Sequence, residues 1–413
     1  MITGDGNDVI FAGVGIDSIS AGAGADSITL TYVAAADSAG PDTIDLGTGR
    51  DTLRLSSTAT LSSAPAFVVV TAGDTDGDYL VLGTGADTII AGSGADTILA
   101  YAGNDSILAG SGDDVIDAGS GADYIEAGEG ADSIYLAADV SGADTVNLGI
   151  GRDSLFASAD TSGVYVLVST TTTDTDGDYI VAGSGSDTVI LGNGADTVEA
   201  GSGDDSIEVG SGANIVHLGV GRDTVKGGSD ADSVYGAADS LGDLYELGNG
   251  SDTVYAGGGD DTINTGSQTG DVGDYVDAGN GDDSVATGSG DDTIFLRTGR
   301  DTVDAGPGDD VIYLEGDTFG TDSIVLGTGR DTISVSAGGT SGVYVSIANV
   351  ADSEGDFIFT GANADTIIGS SAAQTISSGD GTDSIDGGGG ADSIFAGAGN
   401  DTVTFYTGAT TID

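Results

Sequence analysis

Cysteine and tryptophan are absent from the 413 residues, histidine and methionine occur once each, and proline occurs three times. With no thiol and with His217 as the only imidazole, zinc and copper sites lack their usual ligands. No disulfide framework holds the chain, which fits a secreted protein that does not depend on one. A nucleophilic triad would have to be built on His217, around which no nucleophile motif stands, so no enzyme is expected. Lys and Arg number 8 against 68 Asp and Glu, a formal charge of −60. That balance excludes nucleic acid and anionic lipid as partners, because both are bound through basic side chains. No run of about 18 apolar residues exists, which excludes a spanning helix and membrane insertion by one. Residues 1–30 lack a basic segment followed by an apolar core, which predicts no cleavable signal peptide.

What the chain does have is glycine, 75 residues of it, and one nine-residue phrase. From Gly85 the phrase runs GADTIIAGS, GADTILAYA, GNDSILAGS, GDDVIDAGS, GADYIEAGE, GADSIYLAA. A fixed short period decides architecture before any local propensity is consulted. Its Asp recurs at Asp8, Asp17 and Asp26; Asp42 and Asp51; Asp78, Asp87, Asp96, Asp105, Asp114, Asp123 and Asp132; Asp144 and Asp153. It returns at Asp178, Asp187, Asp196 and Asp205; Asp223 and Asp232; Asp243, Asp252 and Asp261; Asp274, Asp283, Asp292, Asp301 and Asp310. The last are Asp322 and Asp331; Asp356 and Asp365; Asp383, Asp392 and Asp401. Asn214 and Gln374 fill two further places in the series. Two residues after each comes Ile, Val or Leu, with Tyr245 as the exception.

Glycine at this frequency forbids a stable helix, so nine residues read as one short strand and one turn. Eighteen then make a coil with two strands, and stacked coils pair each strand with its equivalent eighteen residues on. The expected fold is all-β: a parallel β-roll (β-solenoid) of two short-stranded sheets, with the aliphatic residue pointing inward. Stacking also sets Asp78 over Asp96 over Asp114 on one edge and Asp87 over Asp105 over Asp123 on the other. Carboxylates about 5 Å apart repel by roughly 1 kcal/mol in water and by more where desolvated. The column therefore needs a cation. Carboxylates and glycine-loop carbonyls make an all-oxygen cage of the kind Ca²⁺ takes, whereas Mg²⁺ demands octahedral geometry and dehydrates reluctantly. A flexible acidic tail fails to explain the inward aliphatic column, and Asp74–Asp78, which reads like an EF-hand loop, lacks that motif's flanking helix and terminal Glu.

The phrase resembles the glycine- and aspartate-rich nonapeptide, G-G-x-G-x-D-x-U-x, of RTX (repeats-in-toxin) proteins. Ala91-Gly92-Ser93-Gly94-Ala95-Asp96-Thr97-Ile98-Leu99 matches it with Ala first, and Gly257-Gly258-Gly259-Asp260-Asp261 and Gly387–Asp392 come nearer to the double-glycine form. The resemblance covers nearly the whole chain. It implies a calcium-loaded parallel β-roll with ions in the loops along both edges, export by type I secretion, and folding outside the cell.

A longer module overlies the short one. Insertions near Asp37, Asp139, Asp239 and Asp317 suggest approximate modules 1–133, 134–235, 236–315 and 316–413. After three of them a β-rich run follows, such as Phe67–Val70 or Val164–Val168, expected to be a half-coil without the usual loop. Five of the eight basic residues sit in a Gly-Arg-Asp phrase, at Arg50, Arg152, Arg222, Arg300 and Arg330. Their guanidinium groups are expected to replace calcium by pairing with a stacked carboxylate. The leading functional expectation is an extracellular, calcium-dependent structural protein that self-associates into a surface layer or filament at the cell surface, with a cell-surface polysaccharide as a further partner. The alternative is the repeat block of a larger secreted toxin, enzyme or adhesin.

Overall fold

The computed structural model of the chain describes all residues except 14, 33–40, 58–64, 70–73, 137–141, 159, 169–173, 237–238, 268, 317–319, 337–341, 348–351, 405, 407–410 and 413. Two compact units divide it, Met1–Gly210 and Ser211–Asp413. Among the described residues there is no helix, and so none long and apolar enough to cross a membrane.

Each unit is a β-solenoid of two parallel ladders whose strands alternate along the chain. In Met1–Gly210, Thr88–Gly92, Ser106–Ser111 and Tyr124–Glu129 pair in succession, so that Ile89, Ile107 and Ile125 form one column. Thr97–Leu99, Val115–Gly119 and Ser133–Leu136 form the other ladder, with Ile98, Ile116 and Ile134 in register. In Ser211–Asp413 the equivalent columns include Val285, Val303 and Ile324 in one ladder and Val276, Ile294 and Ile312 in the other. These side chains are buried, as is the residue two further on, typically Ala or Leu. Between them the side chains face outward, as the two-residue period of a strand requires. The core is therefore a narrow slot filled alternately by large and small residues, and the eighteen-residue step read from the sequence is the register observed.

The β-rich runs are half-coils, as expected. Ala66–Val69 pairs with Asp42–Asp45 on one side and Thr88–Gly92 on the other, and Val164–Leu167 and Gly342–Ser346 occupy the same kind of position. Each lacks the loop Asp, but the N–H of Ala66, Val164 or Val343 still donates to the next Asp in the column. The insertions near Asp37, Asp139 and Asp317 lie outside the described residues.

Among the described residues two non-glycines, Tyr101 and Asn363, take a positive φ in the loops. Tyr101, exposed, has φ of 76°, and its carbonyl faces Gly119 of the next coil in a column otherwise suited to glycine. A residue with a Cβ in the left-handed region costs about 1–2 kcal/mol, offset in part by the greater freedom of an unfolded glycine. Tyr101→Gly is expected to raise stability by roughly 1 kcal/mol. Thermal melting of the calcium-saturated protein checks it, and an unchanged or lower melting point would count against strain at this position.

Candidate metal-binding loops

The loop Asp sits one residue before its strand, so its side chain turns inward at the sheet edge. Of the 35 Asp residues in the series, Asp8, Asp17 and Asp401 are half-buried and the rest are buried. They are linked down each column by a repeated bond. The N–H of Asp78 donates to Oδ1 of Asp96 (2.7 Å), Asp96 to Asp114 (2.7 Å) and Asp114 to Asp132 (2.8 Å). On the other edge Asp87 donates to Asp105 (2.7 Å) and Asp105 to Asp123 (2.8 Å). The pattern holds in Ser211–Asp413, for example from Asp274 to Asp292 to Asp310 and from Asp283 to Asp301. It also spans coils lengthened by an insertion, as from Asp153 to Asp178 and from Asp331 to Asp356.

In much of the series one carboxylate oxygen is thus satisfied by the backbone while the other is not. Oδ2 of Asp51, Asp78, Asp96, Asp105, Asp114, Asp132, Asp153, Asp310 and Asp331 is buried with no hydrogen-bond donor. An ionised oxygen buried without a partner is costly, and the group responds by holding a proton. Burial, opposed by the backbone hydrogen bond and reinforced by neighbouring carboxylates, pushes Asp78 and Asp153 up to about 8 and Asp310 up to about 9. The same causes raise Asp51 and Asp114 to about 7. A row of such oxygens aimed into loops of backbone carbonyls fits a hard, oxygen-seeking divalent cation.

Among the described residues, five buried acids outside the series were not legible from its period: Asp74, Asp160, Asp174, Asp352 and Asp277, the last paired with Arg297. Three of them begin the phrase Asp-x-Asp/Glu-Gly-Asp, and that recurrence is the signal that marks them. In each, Oδ1 of the first Asp accepts the N–H two residues on, at 3.1 Å. Asp74 closes a cluster with Asp51 and Asp78, in which one carboxylate oxygen from each lies within 4.8 Å of the others. The loop that reads like an EF-hand is therefore a solenoid loop with an added carboxylate.

The Gly-Arg-Asp expectation needs correction. All five arginines are exposed. Arg300 pairs with Asp282 (3.6 Å) and Arg330 with Glu354 (3.8 Å), both partners half or more exposed. The residue before the loop Asp is exposed, so these guanidinium groups sit at the rim of the column, from where the charge of Arg222 still favours the ionised form of the buried Asp243. Exposed pairs of this kind contribute little. His217 is likewise remote from the loops: it lies on the outer face of a sheet, stacked on Tyr235 with centroids 4.8 Å apart.

No curated protein matches the chain. The description "RTX calcium-binding nonapeptide repeat" matches it over residues 2–30, 36–57, 73–134, 172–240, 242–318 and 350–412. Those segments carry the columns of half-satisfied carboxylates in both units, and with ligands, spacing and fold in agreement the chain belongs to the RTX calcium-binding nonapeptide repeat family.

Proposed function

We propose that this calcium-binding repeat protein is an extracellular structural protein that folds on binding Ca²⁺ and self-associates into a surface layer or filament, after export by type I secretion. The observation that carries the reading is the extent of the repeat: both units consist of the same coils, so the described residues offer a scaffold and ion sites rather than a catalytic cleft. The Asp series named above, from Asp8 to Asp401, would supply the carboxylate ligands of the ions. Bound calcium would neutralise stacked carboxylates and cross-link successive loops.

Outward-facing aromatic rows support lateral association. Tyr135, Phe156 and Tyr179 stack in Met1–Gly210, and His217, Tyr235 and Tyr255 begin a longer row in Ser211–Asp413, with adjacent centroids 4.8–5.8 Å apart. Rings stacked on one another present their edges outward, which suits a flat partner such as another sheet or a cell-surface polysaccharide. The insertions that separate modules 1–133, 134–235, 236–315 and 316–413 would supply further contacts at module spacing. Electron microscopy of the purified protein with calcium and with a chelator tests the reading. Ordered sheets or filaments are expected with calcium alone; monodisperse particles at high concentration would favour the repeat block of a larger secreted toxin, enzyme or adhesin.

A further inference from the structure

In a regular coil the residue five before the loop Asp is Ala: Ala91 before Asp96, Ala100 before Asp105, Ala109 before Asp114. Its methyl group offers nothing to the free Oδ2. At three places in Ser211–Asp413 a buried hydroxyl takes over that task. Thr360, five before Asp365, donates to Asp365 Oδ2 at 2.6 Å. Thr265, ahead of a lengthened loop, donates to Asp274 Oδ2 at 2.6 Å. Tyr245, the exception in the aliphatic column, is fully buried, with its hydroxyl 3.3 Å from Asp243 Oδ2 and 3.2 Å from the Ala256 carbonyl. Asn214, the amide in place of a loop Asp, is a different case: its Nδ2 donates to Asp232 Oδ1, which also accepts the Asn214 N–H, while Asp232 Oδ2 accepts the Gly228 N–H at 3.3 Å.

We infer that Thr360, Thr265 and Tyr245 are internal substitutes for calcium, and that the loops at Asp365, Asp274 and Asp243 close without an ion. The physical case is that both substitutes and ion meet one need, a positive partner for a desolvated carboxylate oxygen. A phenol or threonine hydroxyl fixed by the core delivers it at no dependence on solution calcium. None of the three lies in Met1–Gly210, so the two units differ in how many rungs depend on the ion. These donors are neutral and buried, unlike the exposed Gly-Arg-Asp guanidinium groups. The inference rests on the calcium reading above.

The test uses the full chain carrying T265V, T360V and Y245F together, with bound calcium counted by elemental analysis after equilibrium dialysis and hydrogen exchange followed peptide by peptide. The wild type is expected to bind calcium, and the triple variant to bind one to three more ions per chain. Protection of the segments around 243, 274 and 365 should then become calcium-dependent, with the midpoint raised about fivefold, as expected for one lost hydrogen bond per loop. A calcium count that stays the same or falls overturns the inference, a fall meaning that the hydroxyls are themselves ligands. A wild type that takes up no calcium overturns the calcium reading with it. Should the triple variant fail to fold, Ala109→Thr asks the converse question beside Asp114: one ion fewer supports the substitution, and an unchanged count opposes it.

Discussion

Removing calcium at pH 8 should abolish nearly all of the β-structure, and acidification in the continued presence of chelator should bring much of it back. The first half follows from the columns. Dozens of buried carboxylates stand one above another, and many, such as Asp78, Asp105 and Asp114, keep an oxygen that no donor satisfies and that a cation or a proton would. The second half follows from linkage. In an unfolded chain these groups titrate near 4, whereas in the fold burial moves Asp87 to about 6, Asp105 to about 7 and Asp78 to about 8. Between the unfolded and folded values the native state binds more protons, so stability without calcium is fully present below about pH 4 and is lost progressively as pH rises to about 8. With calcium present the order reverses, since protons compete for the same oxygens: the calcium midpoint should fall as pH rises. Far-ultraviolet circular dichroism across a grid of pH and calcium concentration reads both effects. A chelated protein that keeps its β-signal at pH 8 would show that the unpaired oxygens have another partner.

The architecture was legible because the period is a geometric instruction. Asp105 and Ile107 could be placed in a loop and a core from spacing alone, and the observed pairing of Ile107 with Ile89 and Ile125 needs nothing else. The columns of Asp followed by the same logic. What spacing does not carry is side-chain direction in the loop and the fate of individual oxygens. Arg300 does meet a carboxylate of the neighbouring coil, as expected of the Gly-Arg-Asp phrase, but it is the exposed Asp282, beside the buried column. The bond from the Asp78 N–H to Asp96 Oδ1 joins residues eighteen apart and leaves no trace in either repeat. Tyr245 and Thr265 read as lapses in a pattern, and only the position of Asp243 and Asp274 beside them makes those lapses chemical. Tyr101 is a true lapse, tolerated because one strained loop is small against a whole stack.

Gly110→Ala should destabilise Met1–Gly210 by about 2–4 kcal/mol, combining left-handed strain with overpacking, and should raise the calcium concentration needed to fold it. Gly110 has φ of 114°, and a Cβ built on it would overlap the carbonyl oxygen of Gly92 in the preceding coil. That obstacle is backbone, paired in register with Gly110 itself, so it moves only if the coil spacing opens. Opening the spacing pulls Asp105 away from the Asp87 N–H and breaks the link on which the free Oδ2 is positioned. The damage therefore reaches the ion site as well as the strand. A repeat array transmits such a defect chiefly to its neighbours, because each coil contacts only the next. Hydrogen exchange should show protection lost around residues 87–130 while Ser211–Asp413 keeps its own. Gly4→Ala supplies the control, as a Cβ there meets nothing within 4 Å. Equal effects of the two substitutions would mean that glycine serves this loop through chain freedom alone, and not through the closeness of one coil to the next.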